Sequence, residues 1–139
     1  MQVREVLTKL TEFKTEVEKE LKEIGKIEFN ESNKEEVFLN SELMGIISDL
    51  SFACECTSYI NKPVAIRGIV NIKGSKFFID DFELKNYDVV EFFTDGYWLK
   101  IEIIEIQNEF YAENLTSLIK ANNNLVGRIR LTQKELEDR

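Results

Sequence analysis

Apolar and polar residues alternate on both sides of Asp95-Gly96, from Asp88 to Ile103. Asp-Gly between two β-rich runs signals a type I′ turn, which needs positive φ at both central residues. A two-residue turn also fixes the strand register. Thr94 then faces Tyr97, Phe93 faces Trp98, Phe92 faces Leu99, Glu91 faces Lys100 and Val90 faces Ile101. One face carries Val90, Phe92, Leu99 and Ile101 and suits a core. The other carries Val89, Phe93, Trp98 and a Glu91–Lys100 pair. Half apolar and half charged, it is the most informative surface the pattern predicts.

Upstream the period is helical. Residues 2–24 place Val3, Val6, Leu10, Phe13, Val17, Leu21 and Ile24 at three-to-four spacing, with Leu7 widening the stripe and Gly25 as a stop. A loop over 25–32 follows. Ser32 with Glu35 has capping-box spacing and opens a second helix running to about Ile60, with a possible break near Asn40-Ser41. Its apolar residues spread well beyond one stripe, which predicts burial on more than one side, between the first helix and a sheet. Asn61-Lys62-Pro63 ends it.

From Val64 the period is two. Val64–Ile72 is a strand, Lys73-Gly74-Ser75 a turn, Lys76–Ile79 a second strand and Asp80–Tyr87 a connection. The central hairpin follows, with a bulge expected at Ile103-Ile104. A turn at 107–109 leads into Phe110–Ala112, and a helical turn is expected over Leu115–Lys120. In the last strand, Leu125–Leu131, the residues Leu125, Ile129 and Leu131 face inward, and Thr132–Arg139 reads as a frayed charged end. The predicted fold is α+β: an N-terminal two-helix hairpin packed on a C-terminal small antiparallel SH3-like β-barrel or curled sheet. Segments 1–61 and 62–139 are expected to share one core and act as one domain.

Charge divides unevenly over those segments. Residues 1–61 hold 13 acids and 7 bases, and residues 62–139 hold 13 acids and 11 bases, which together give the net −8. Such a chain repels nucleic acid and anionic membranes and attracts a basic partner. No uninterrupted apolar run approaches the roughly 20 residues of a membrane span. The start, Met1-Gln2-Val3-Arg4-Glu5, lacks a signal-peptide layout. With two cysteines and no disulfide framework, the expected compartment is the cytoplasm.

Residues 65–131 also resemble an uncharacterised small β-domain family of Gram-positive bacteria, their phages and mobile elements. The matching pieces run in order: Arg67-Gly68, Phe82-Glu83-Leu84, Asp88-Val89-Val90-Glu91, Gly96-Tyr97-Trp98, Phe110-Tyr111 and Val126-Gly127-Arg128-Ile129-Arg130-Leu131. After Trp98 the apolar pattern departs by about one residue, at the proposed bulge. The resemblance implies a small barrel and a setting in mobile DNA. It carries no catalytic residues, and residues 1–61 lie outside it.

Catalytic chemistry is scarce. The chain has no His, which removes the commonest general base and metal ligand and every Ser-His-Asp, Cys-His or zinc-His arrangement. Cys54 and Cys56 point about 200° apart on a helix, too far to grip one metal. The glycines form no phosphate loop, and Asp80-Asp81 with Glu83 has too few ligands for calcium. The expectation is therefore no enzyme, no metal and no cofactor. The predicted function is a non-catalytic acidic protein-binding module, in mobile DNA an anti-CRISPR-like inhibitor of a host nucleic-acid-binding defence protein. Its partner would be a basic host protein, with Trp98, Phe93, Tyr97, Glu91, Glu102 and Asp95 as contact residues and no membrane; a homodimer stays open. Two alternatives stand beside it. A carboxylate-dependent enzyme would need two carboxylates in one pocket. A nucleic-acid-binding small barrel would need Lys62, Arg67, Arg128 and Arg130 to converge.

Overall fold

The computed structural model describes residues 1–103, 116–121 and 124–139. The chain divides into two compact units, Met1–Asn61 and Lys62–Arg139.

The first unit is a helical hairpin of α1 (Val3–Ile24) and α2 (Lys34–Asn61). The Glu5 carboxylate accepts the Gln2 backbone N–H at 2.8 Å, and Gly25 stops α1 at φ 60°. The cap of α2 is Asn33, not Ser32. The Asn33 Oδ1 accepts the Glu35 and Glu36 backbone N–H groups, which would otherwise lack partners. No break occurs at Asn40-Ser41; α2 is continuous. The face of α1 that is half-buried runs through Leu7, Thr11, Lys14, Val17 and Leu21, while Val6, Leu10 and Phe13 are exposed. The stripe predicted from apolar spacing is thus rotated toward Thr11, whose Oγ1 accepts from Asn61 Nδ2 at 2.9 Å and so ties the two helices together.

The expected burial of α2 on several sides is not what the structure shows. Cys54 is the one buried residue among the described residues of this unit. Phe38, Leu39, Leu43, Met44, Ile46 and Phe52 are all 45–67 % exposed. A helix apolar around most of its circumference offers more surface than one neighbouring helix covers. By length and composition alone α2 could cross a membrane. Reading uninterrupted runs missed this because Glu42 and Asp49 break the apolar sequence.

The second unit holds six strands among the described residues: β1 (Val64–Lys73), β2 (Lys76–Ile79), β3 (Phe82–Glu83), β4 (Val89–Thr94), β5 (Tyr97–Glu102) and β6 (Val126–Arg130). They form one antiparallel sheet in the order β3-β2-β1-β6-β4-β5. Strand β1 joins its halves, pairing with β6 near its start and with β2 near its end. Among the described residues β3 and β5 stand at the two edges, so the described strands form an open sheet and are not closed into the SH3-like barrel that was one of the two expected forms. Ile104 of the expected bulge, the turn at 107–109 and the segment Phe110–Ala112 lie outside the described residues. Residues 116–121 are helical (α3), and Gln133–Glu137 form a short helix (α4). The chain end is therefore not frayed. Thr132 caps α4 by accepting from the Glu135 N–H, and Arg139 is clamped by both Asp88 carboxylate oxygens, at 2.6 and 2.8 Å.

The core lies on one face of the sheet. Val70, Ile79, Leu84, Val90, Phe92 and Ile129 are each at most 3 % exposed and pack in a single cluster. Gly68 and Gly127 sit opposite each other in the β1–β6 register. A Cβ on Gly127 would lie 2.6 Å from Val70 Cγ2 and 3.3 Å from the Phe92 ring. Gly127→Ala should therefore destabilise by about 1–3 kcal/mol through overpacking. Urea melts with an unchanged denaturant slope would check this.

Candidate functional site

The other face of the sheet carries the site. The registers align Arg67, Arg128, Glu91 and Lys100 in one row across β1, β6, β4 and β5, and Ile69, Val126, Phe93 and Trp98 in the next. Strand alternation turns both rows away from the core cluster. The hairpin register agrees at every predicted pair, with φ of 51° and 86° at Asp95 and Gly96.

Glu91 lies at the centre. It is 8 % exposed and forms a fork with Arg128, Nε to Oε2 at 3.2 Å and Nη2 to Oε1 at 3.0 Å. The Arg130 Nε donates to the same carboxylate at 2.9 Å, and its Nη1 donates to the Lys62 carbonyl oxygen at 3.0 Å. Burial pushes the Glu91 carboxyl up. The Arg128 hydrogen bonds and the charges of Arg130 and Arg128 outweigh this and hold it below the usual carboxylate range.

Trp98 leans on this cluster. The Arg128 guanidinium lies 3.8 Å from its ring centroid and that of Arg67 5.6 Å, within cation–π range. The Phe93 ring packs against it at 5.2 Å, tilted by 59°. Phe93 is 44 % exposed and Trp98 half-buried.

The expected contact residues therefore separate. Phe93, Trp98 and Glu91 come together, and Glu102 stands exposed at the far end of the same face, opposite Val89. Tyr97, 56 % exposed, alternates to the other face, and Asp95 sits in the turn. Glu91 is an internal partner of two arginines rather than a surface acid. Reading the sequence missed the stacking of Arg128 on Trp98. Outward alternation of Arg128 and Arg130 was visible, but their meeting with Glu91 and Trp98 depends on β6 inserting between β1 and β4, which no local pattern reveals.

The helical unit offers a different surface. After Lys34, α2 carries Glu35, Glu36, Glu42, Asp49 and Glu55 and no Lys or Arg, beside the exposed apolar residues described above. Among the described residues no group of three or more His, Cys, Asp or Glu side chains is arranged to hold a metal. Cys54 and Cys56 are free thiols. No family model, curated protein or solved structure matches the chain.

Proposed function

We propose that the chain is a non-catalytic protein-binding module that acts in the cytoplasm by docking on a basic protein. With the mobile-element setting that the family resemblance implies, this becomes an anti-CRISPR-like inhibitor of a nucleic-acid-binding defence effector. One observation carries the reading: acid and exposed apolar surface coincide on α2. Carboxylates draw a basic partner and set specificity, and exposed aromatic side chains supply affinity.

A second reading has its own observation. Arg67 and Arg128 lie against Trp98, and Arg130 shares the Glu91 carboxylate with Arg128, on the outer face of the sheet, the kind of basic and aromatic surface that single-stranded nucleic acid uses. Glu91 neutralises part of that charge, and Glu135 pairs with Lys62 at 2.6 Å, so protein binding is the reading adopted.

Affinity capture from the native host lysate, with and without nuclease, separates the two. A protein retained after nuclease treatment is expected. Retention that disappears with nuclease, together with salt-sensitive binding of a labelled oligothymidine, would favour the second reading. Trp98→Ala serves as a probe in both arms. Cutting back a half-buried ring held by two arginines should lower stability by about 2–3 kcal/mol in a thermal melt, below the cost of a fully buried aromatic. It should leave capture through α2 intact wherever the protein stays folded.

A further inference from the structure

Two rows run side by side along the exposed face of α2. Phe38, Gly45, Phe52 and Tyr59 recur every seven residues, and so do Glu35, Glu42 and Asp49. At 3.6 residues per turn, each row drifts by only about 20° per heptad, so each forms a nearly straight line along the helix. The aromatic row is open at Phe38 and Phe52, 57 % and 67 % exposed, and closes at Tyr59, which is half-buried. The acidic row is exposed too, and among the described residues no hydrogen bond or ion pair holds these three carboxylates. Gly45 lies between the two phenylalanines, and a Cβ built there would meet nothing within 4 Å. A mid-helix glycine weakens a helix, and among the described residues no packing requires it. It leaves a notch between two rings.

We infer that this face docks a basic amphipathic helix of the partner protein. Apolar side chains of that helix would enter the Phe38–Gly45–Phe52 row, and its Lys or Arg side chains would pair with Glu35, Glu42 and Asp49. This is the heptad logic of a seam with charged flanks. The inference rests on the protein-binding reading and specifies its occupant. Charge selects among the occupants an apolar face can take. A second copy of α2, which has no base after Lys34, would bring carboxylates into the same seam as carboxylates. A bilayer would have to take in Glu42 and Asp49, and an anionic surface would repel the whole row. A basic helix satisfies both rows together. Val37, Phe38, Met44, Phe52 and Ile60, 42–67 % exposed, present on the order of 500 Å² of apolar surface, at the upper end of the largest patch on a typical monomer.

The test uses the full chain and a synthetic helix of about four heptads with Leu at the seam and Lys at the flanks, followed by fluorescence anisotropy. Two controls replace the flanking Lys by Glu or scramble the Leu positions. Binding of the Lys helix is expected, weakened at least about ten-fold in either control. The triple variant Glu35→Lys, Glu42→Lys, Asp49→Lys should reverse the preference toward the Glu helix. Gly45→Leu, which favours the helix and fills the notch, should abolish binding while circular dichroism stays helical. Equal binding of the scrambled helix would overturn the inference, as would no binding of the Lys helix. So would a concentration-dependent dimer lost in Gly45→Leu, or flotation of the chain with phosphatidylcholine–phosphatidylglycerol vesicles. A partner captured from lysate by wild type and Gly45→Leu alike would overturn this inference and leave the protein-binding reading standing, whereas capture by neither would count against both.

Discussion

Replacing Glu91 by Ala is expected to destabilise the protein by about 3–5 kcal/mol, as removal of one member of a buried ion pair does. The carboxylate accepts from both Arg128 and Arg130, and its side chain is only 11 % exposed while theirs are 18 % and 21 %. Its loss strands two guanidinium groups on a sheet face with no acid between them. Glu91→Leu combined with Arg128→Met and Arg130→Met should recover much of the loss, because it removes the uncompensated charges instead of isolating them. The same cluster sets a pH dependence. The folded pKa of Glu91 lies below its unfolded value, which is in the ordinary carboxylate range. Its stabilisation is therefore complete above that value and is lost as pH falls through the lower folded value. Wild type and Glu91→Gln should differ in melting temperature near neutrality and converge in acid. A constant difference down to full protonation would contradict the assignment.

Phe92→Ala should have a comparable effect, about 3–5 kcal/mol, as for a fully buried aromatic. Phe92 is 0 % exposed and lies in the cluster with Val90, Ile79 and Ile129, on the face opposite Phe93. Phe93→Ala, at a 44 % exposed position one residue away, should cost much less, because a large part of its surface is already in water. Paired urea melts of the two variants read this alternation directly. Equal losses would mean that both faces of β4 are buried.

The hairpin was the most legible element. Asp95-Gly96 fixes the turn, and a two-residue turn fixes every cross-strand pair after it. Helix extents were legible for the same local reason, since α1 (Val3–Ile24) is bounded by Gly25. Features that depend on distant partners were not. The half-buried face of α1 is rotated toward Thr11, which meets Asn61 from fifty residues away. The ordered C-terminus rests on Arg139 meeting Asp88. The role of Glu91 changed most. Paired with Lys100 in the hairpin alone it reads as a surface acid, and only the insertion of β6 places two arginines on it. The breadth of apolar residues on α2 was visible, but periodicity cannot say whether such a face meets its own chain or another.

Amide hydrogen exchange of the full chain, alone and bound to its captured partner, tests the central claim most directly. Docking on α2 predicts new protection within Lys34–Asn61, strongest around Gly45, with little change in β5 and β6. Protection confined to Tyr97–Glu102 and Val126–Arg130, with α2 exchanging as in the free chain, would place the partner on the Trp98 face and contradict the account.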